Sequence, residues 1–185
     1  MNFYKPEKLP KLMIAPNGAR PSKKDHPAVP ITISETVETA KACFDAGADG
    51  IHFHMRDENG QHILDSGLCK EALYELQKKV PKMHLQVTTE AVGRYSPDVM
   101  RKLAFDVIPP GISIGIREMI PSRSPSSEDI NLYKHLTESG TKIQHICYEP
   151  KDVDLLSKLL NLANISKEET WCMLVIGHYS GTPSN

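Results

Sequence analysis

The 185-residue sequence carries 22 lysines and arginines against 23 aspartates and glutamates, which gives a formal net charge of -1 at pH 7. This balance offers no electrostatic reason to expect nucleic acid or an anionic membrane as a partner. The hydrophobic fraction of 39% is typical of an ordinary globular protein, and the length predicts one domain over residues 1–185.

Short apolar strands and amphipathic helices alternate along the first half of the chain. We predict strands at KLMIAP, GIHFHMR and MHLQVTTEA. The helices between them are predicted at ISETVETAKACFDAGA and ILDSGLCKEALYELQKKV. Ser34 is the predicted N-cap of the first helix, and Gly47 and Pro81 follow the ends of the two helices.

The second half continues the same alternation. A helix is predicted at SPDVMRKLAFDV, with Ser96 as its cap and Pro97 in its first turn, followed by a strand at GISIGI. The Ser/Pro-rich stretch PSRSPSSED is predicted to be a loop, and the next helix runs through Leu136 and ends at Gly140. A strand at KIQHICYE, a helix at PKDVDLLSKLLNLA and a sixth strand at TWCMLVIGHY complete the prediction.

This alternation implies parallel strands joined by right-handed crossovers, which fits either an open α/β sheet or a (β/α) barrel. The sequence lacks a Gly-x-Gly-x-x-Gly motif after a strand, so a dinucleotide-binding open sheet has little support. Polar residues gather at the strand ends, where barrel enzymes place their sites. These residues are Asn17, Arg20, His52, His54, Arg56, Thr88, Thr89, Glu90, His145 and Glu149. We therefore predict a TIM (β/α)8-barrel type of fold with about six of the eight βα units.

The cysteines and the first ten residues indicate the cellular compartment of the protein. Four scattered cysteines permit two disulfides by count but form no Cys-x-x-Cys pair, and the opening MNFYKPEKLP lacks the apolar core of a signal peptide. No apolar run is long enough to span a bilayer. We therefore expect a cytoplasmic protein.

Two histidines stand one residue apart in the second predicted strand. Because strand side chains alternate between faces, His52 and His54 are predicted to point the same way. Two imidazoles so placed can ligate one Zn²⁺, and a carboxylate or histidine from another strand would complete the shell. A His-x-His pair is also common in strands that bind no metal. Of the other histidines, His62 and His84 are predicted to be solvent-exposed and His145 to be an interior polar residue.

Four segments carry a resemblance to a known family. APNGARPSKKDHPAVPIT, AGADGIHFHMRDENG, LQVTTEAVGRYSP and VIGHYSGTPS, in this order and over almost the whole chain, together resemble the zinc-dependent β-keto acid cleavage enzymes of the 3-keto-5-aminohexanoate cleavage type. The resemblance implies a (β/α)8 barrel that condenses a β-keto acid with acetyl-CoA to give acetoacetate and an acyl-CoA. It also implies small-molecule partners and a zinc ion that acts as a Lewis acid.

The resemblance assigns roles to particular residues. His52 and His54 match the family's metal ligands, and Thr88 and Ser113 match hydroxyl positions near the substrate carboxylate. Asn17 and Arg20 are predicted to contact substrate as well. Arg20 stands where the 3-keto-5-aminohexanoate cleavage enzyme has a glutamate that contacts the amino group of its substrate. The sequence therefore predicts that an anionic or neutral substrate tail is accepted and 3-keto-5-aminohexanoate is not.

Other matches to the family are missing. Gly115 occupies a position where the 3-keto-5-aminohexanoate cleavage enzyme has an asparagine. The family's glutamate ligand, its acidic catalytic residue and an assisting arginine belong to a G-[FL]-E-[DN]-N-like motif and its neighbourhood, which we expect beyond Asn185. The catalytic residues are accordingly unassigned, and we expect little or no turnover from this chain by itself.

The incomplete motif leaves alternatives open. The chain is either a family enzyme, a catalytically incomplete barrel fragment that binds metal weakly or needs a second chain, or another metal-dependent barrel aldolase. An open sheet of six parallel strands has exposed edges, so we expect a homo-oligomer or a partner chain that supplies the missing strands. The identity of the β-keto acid and the CoA-binding residues stay open at this point.

Overall fold

The computed structural model describes residues 3–168 and 170–176, and these form alternating strands and helices. The elements are β1 (Met13–Ile14), α1 (Ile33–Asp45), β2 (Gly50–Phe53), α2 (Ser66–Lys79), β3 (His84–Thr88), α3 (Pro97–Val107), β4 (Gly111–Gly115), α4 (Ile116–Met119), α5 (Ser127–Glu138), β5 (Lys142–Cys147), α6 (Pro150–Ala163) and β6 (Trp171–Leu174). Strand order follows chain order from β1 to β6. The predicted α/β class is therefore confirmed.

Contacts divide the chain into two compact units. The first comprises Met1–Thr88 with Pro109–Gly111, and the second comprises Thr89–Ile108 with Ile112–Asn185. The prediction of a single domain over residues 1–185 stays a prediction. Among the described residues, no helix is long and apolar enough to cross a membrane.

In the first unit, β1, β2 and β3 pair in parallel. The β2–β3 register sets Ile51 opposite Leu85 and His52 opposite Gln86. Ile51 and Phe53 are 0% and 1% exposed. Burial of each such side chain contributes about 1.5–3 kcal/mol to the free energy of folding, and strand alternation then directs His52 to the opposite face.

The start of α1 differs from the sequence prediction, because Thr32 and not Ser34 is its N-cap. The Thr32 hydroxyl accepts a hydrogen bond from the backbone N–H of Glu35 at 3.1 Å. The Glu35 carboxylate accepts from the Thr32 N–H at 3.1 Å, which completes a capping box. A capping box satisfies two donors at the helix start, so it outcompetes a cap at Ser34, which has no matching glutamate three residues later.

In the second unit, β5 and β6 pair in parallel, with Gln144 opposite Trp171. The short helix α4 was not predicted, and α5 begins at Ser127, inside the stretch predicted to be a loop. Ser126 and Asp129 form a capping box that starts α5 early. The prediction of α6 at residues 150–163 is confirmed, as is the interior position of His145, which is 4% exposed. The predicted strand beyond Ile176 lies outside the described residues.

Gly111 occupies a position in the first unit that has no room for a side chain. A Cβ atom built there would lie 2.5 Å from Nε2 of His84 and 3.1 Å from the backbone oxygen of Leu85. His84 is 1% exposed, so the prediction that it is solvent-exposed is wrong. The residue lies at the start of a strand that is covered along its whole length, and this covering is a tertiary property.

We expect Gly111→Ala to lower the free energy of unfolding by about 2 kcal/mol, because overpacked cores typically lose 1–3 kcal/mol. Urea denaturation measures the loss. If the clash with His84 is the cause, His84→Ala should make room for the new methyl group. The cost of Gly111→Ala measured in a His84→Ala background should then fall well below 2 kcal/mol. An equal cost in both backgrounds would contradict this account.

Candidate metal and substrate site

His52 and His54 converge on one point at the end of β2. Nε2 of His52 lies 3.0 Å from Nε2 of His54, and the two rings are T-shaped with centroids 4.9 Å apart. The prediction that both side chains point the same way is confirmed. The pair thus presents two imidazole nitrogens to a single location.

The other nitrogen of His52 contacts a neighbouring strand. Nδ1 of His52 lies 2.6 Å from Oε1 of Gln86, its partner in the β2–β3 register. An amide oxygen only accepts hydrogen bonds, so His52 donates from Nδ1–H. In a neutral imidazole this leaves Nε2 unprotonated, which is the form that ligates metals.

His54 is held through its backbone by Asn17, which follows β1. The Asn17 side chain donates from Nδ2 to the His54 carbonyl at 2.9 Å and accepts at Oδ1 from the His54 N–H at 3.1 Å. Nδ2 also donates to the Pro30 carbonyl at 3.2 Å. This bidentate contact replaces a strand partner for His54 and sets the direction of its side chain.

Arg56 ties the loop after β1 to the same site. Its guanidinium donates to the carbonyls of Gly18 at 2.5 Å, Pro21 at 3.0 Å and Gly60 at 2.9 Å. The side chain is buried, and a planar fork of donors can serve several carbonyls at once. Arg56 therefore closes the loop that carries Asn17 and Arg20.

The environment keeps His54 neutral. Burial, assisted by the nearby His52, His62, Arg56 and Arg20, lowers the pKa of His54 to about 2. His62 packs edge-on against His54 with ring centroids 5.0 Å apart and is 1% exposed, so the prediction that His62 is solvent-exposed is wrong. An uncharged imidazole is the protonation state that binds a metal ion.

These two histidines fit a zinc ion in chemistry and spacing. Zinc accepts imidazole nitrogen at about 2.0–2.1 Å, so two such ligands lie roughly 3 Å apart, as the two Nε2 atoms do at 3.0 Å. Within residues 3–168 and 170–176, no group of three or more His, Cys, Asp or Glu side chains is arranged to hold a metal ion. The described part of the chain therefore offers a pair of ligands.

The remaining predicted site residues lie on the strands or in the loop after β1. In the first unit, Arg20 is exposed and Thr88, the last residue of β3, is buried. In the second unit, Ser113 is 1% exposed on β4. Its carbonyl accepts from the backbone N–H and the hydroxyl of Thr89 at 3.1 Å and 3.0 Å. Their roles toward substrate stay predictions.

Comparison with known proteins identifies the family of this chain. The family profile described as "beta-keto acid cleavage enzyme" matches residues 11–185. The chain belongs to the β-keto acid cleavage enzyme family. The resemblance seen in the four sequence segments is thus confirmed.

Curated relatives of this family member are named as enzymes. A 3-keto-5-aminohexanoate cleavage enzyme of Acetoanaerobium sticklandii is 26% identical over 174 residues, which cover 90% of this chain and 63% of the relative. A 3-oxoadipate:acetyl-CoA acetyltransferase of Cupriavidus necator is 37% identical over 78 residues, or 42% of this chain and 28% of the relative. The chain thus spans less than two thirds of the length of these curated relatives.

Solved structures agree on the fold. A binary complex of ObcA with oxaloacetate superposes with a TM-score of 0.65 at 16% identity, covering 82% of this chain and 38% of ObcA. A ternary complex of ObcA with a C4-CoA adduct and oxalate gives a TM-score of 0.61 at 15% identity with the same coverage. Together with the strand order, these similarities confirm the barrel type of fold predicted for this family member.

Sequence reasoning missed Gln86 and His62 as neighbours of the histidine pair. A signal for Gln86 was present, because HLQVT alternates polar and apolar residues, which places His84, Gln86 and Thr88 on one face of a buried strand. A polar face on a fully covered strand requires hydrogen-bond partners. No local signal marked His62, whose covering depends on the packing of β2 against the following loop.

Proposed function

We propose that this chain carries the metal-binding and substrate-binding part of a zinc-dependent β-keto acid cleavage enzyme. The reaction would condense a β-keto acid with acetyl-CoA to give acetoacetate and an acyl-CoA. Family membership supports the reaction class. The 3.0 Å approach of Nε2 of His52 to Nε2 of His54 supports the metal and is the observation that carries the proposal.

His52 and His54 would hold the zinc ion. When bound, the ion supplies Lewis-acid polarisation of the keto oxygen, which favours cleavage because enolate-like charge develops there. The residues of the chain hold and orient the reactants. Thr88 is buried at the end of β3 in the same unit as the histidines, and its hydroxyl would bind the substrate carboxylate.

Two further residues have proposed substrate roles. In the second unit, the resemblance assigns Ser113 a hydroxyl contact with substrate. In the first unit, the Asn17 amide is engaged by Pro30 and the His54 backbone. Asn17 would therefore act on substrate through the shape of the loop that it holds.

Arg20 would select the substrate tail. It is exposed, and its charge contributes to the lowered pKa of His54, so its field reaches the histidine pair. A cation there favours a β-keto acid with an anionic tail and opposes an ammonium group. The C. necator relative is named for 3-oxoadipate, which has a second carboxylate. We therefore propose a dicarboxylic β-keto acid as the substrate class.

The test compares binding of 3-oxoadipate and 3-keto-5-aminohexanoate to the zinc-loaded chain, with acetoacetate formation from acetyl-CoA measured in the same samples. We expect the anionic substrate to bind at least about tenfold more tightly, which corresponds to about 1.4 kcal/mol. Arg20→Glu should reverse the preference, because it replaces the cation by an anion, and Arg20→Lys should keep it.

Lys24→Glu is a matched control, since it makes the same charge change at another exposed position nearby. It should leave the preference nearly unchanged, because the charges that lower the pKa of His54 include that of Arg20 and not that of Lys24. Absence of binding for both keto acids would contradict the proposed function. A preference for the ammonium substrate in the unmodified chain would contradict the role of Arg20.

A further inference from the structure

Gln86 is the buried polar residue that touches the histidine pair from another strand. It is 0% exposed on β3, and its Oε1 lies 2.6 Å from Nδ1 of His52. A buried amide costs free energy unless it is hydrogen-bonded, and a valine or leucine would suit this strand better. The contact with His52 satisfies Oε1 of Gln86, whereas Nε2 of Gln86 is buried without a hydrogen-bond partner among the described residues.

We propose that Gln86 is a positioning residue that fixes the tautomer and the ring orientation of His52. The proposal rests on the proposed zinc site. The amide oxygen accepts from Nδ1–H, so the single proton of the neutral ring is held on Nδ1. Nε2 of His52 then keeps its lone pair and accepts a hydrogen bond from Nε2–H of His54 at 3.0 Å. A cation bound between the two nitrogens would take the place of that proton.

The register of the sheet places Gln86 beside His52. His52 and Gln86 are paired neighbours on parallel strands, and both strands belong to the same compact unit. The separation of their backbones is therefore set by the strand pairing. The contact of Nδ1 with Oε1 at 2.6 Å then restrains the rotation of the imidazole. The neutral amide adds no charge of its own, in contrast to the carboxylate partner found beside many metal-binding histidines.

The two candidate ligands are thus held in different ways. Gln86 holds His52 through its ring, whereas Asn17 holds His54 through its peptide group. Groups that fix ligands before the ion arrives reduce the loss of side-chain freedom on binding. Removing the hydrogen bond from Gln86 should therefore weaken metal binding while the fold persists.

The tautomer can be measured directly in the full 185-residue chain without metal. With ¹⁵N-labelled histidine, long-range ¹H–¹⁵N spectra distinguish protonated from unprotonated ring nitrogens, and His52→Ala identifies the signals of His52. We expect a protonated Nδ1 and an unprotonated Nε2. Gln86→Leu should abolish this preference, whereas Gln86→Glu should restore it, because a carboxylate also accepts from Nδ1–H.

Zinc titration of the same variants provides the second readout. Gln86→Leu should weaken zinc binding by about 10–100-fold, as removal of such outer partners does elsewhere, and Gln86→Glu should stay near the unmodified affinity. Gln144→Leu makes the same change on β5 and should bind zinc normally. Far-UV circular dichroism checks that each variant is folded.

The outcomes separate this inference from the proposed function. A proton on Nε2 of His52 in the unmodified chain, or an unchanged Nδ1–H tautomer in Gln86→Leu, would overturn the role of Gln86. Zinc binding by Gln86→Leu at the unmodified affinity would overturn it too and leave the zinc site standing. The predicted tautomer in a chain that binds no zinc would support positioning by Gln86 and contradict the proposed function.

Discussion

Replacing either His52 or His54 by alanine is expected to weaken zinc binding by roughly a hundredfold. Structural zinc sites gain about 10–16 kcal/mol from four ligands, so one ligand contributes roughly 3 kcal/mol. That amount corresponds to about two powers of ten in the dissociation constant. The effect should be similar for both variants, because the two Nε2 atoms lie 3.0 Å apart and address the same ion.

Elemental analysis of the purified chain and a competitive zinc titration measure this effect. His135→Ala is a suitable control, since it removes a histidine from α5 in the second unit. It should bind zinc like the unmodified chain. Equal zinc content in His52→Ala, His54→Ala and the unmodified chain would rule out the pair as a metal site.

Replacing Asp152 by asparagine is expected to lower the free energy of unfolding by about 3 kcal/mol, the lower end of the range for breaking a buried ion pair. Asp152 is 0% exposed. Its carboxylate accepts from Arg117 at 2.7 Å and 3.0 Å, from Arg123 at 2.8 Å and from the Tyr148 backbone N–H at 2.8 Å. An asparagine would remove the buried anion from the two guanidinium groups and leave them the half-exposed Glu149 carboxylate, which lies 3.3 Å from Arg117 and 2.6 Å from Arg123.

The same network predicts a pH dependence. Burial by itself raises the pKa of Asp152, but the hydrogen bonds from Arg117 and Tyr148 outweigh it and lower the pKa below 3.8. The ionised carboxylate therefore stabilises the folded chain at pH values above 3.8. This stabilisation is lost as the pH falls through the lowered pKa of Asp152. The difference between the unmodified chain and Asp152→Asn should accordingly shrink in strong acid.

Urea denaturation at several pH values measures both effects. Asp154→Asn is the matched control, because it makes the same change on an exposed position of α6. It should alter the free energy of unfolding by less than about 0.5 kcal/mol. A similar loss in both variants, or a pH-independent difference for Asp152→Asn, would contradict the network described here.

Local sequence patterns were sufficient for most of the secondary structure. The helices around Leu73, Leu103 and Leu159 follow from apolar periodicity, and Pro97 marks the start of one of them. The errors arose at helix starts. Thr32 and Ser126 each form a capping box with a partner three residues later, a signal present in the sequence that outweighs a nearer serine or a Ser/Pro-rich composition.

The sequence by itself determined that His52 and His54 share a face, because strand alternation is a local rule with a period of two residues. Only the tertiary structure decided what surrounds them. Gln86 lies 34 residues from His52 in the chain and meets it through the register of two parallel strands. Local patterns leave the register between separate strands open, so the partners that orient this candidate site emerge only when β2 and β3 pair.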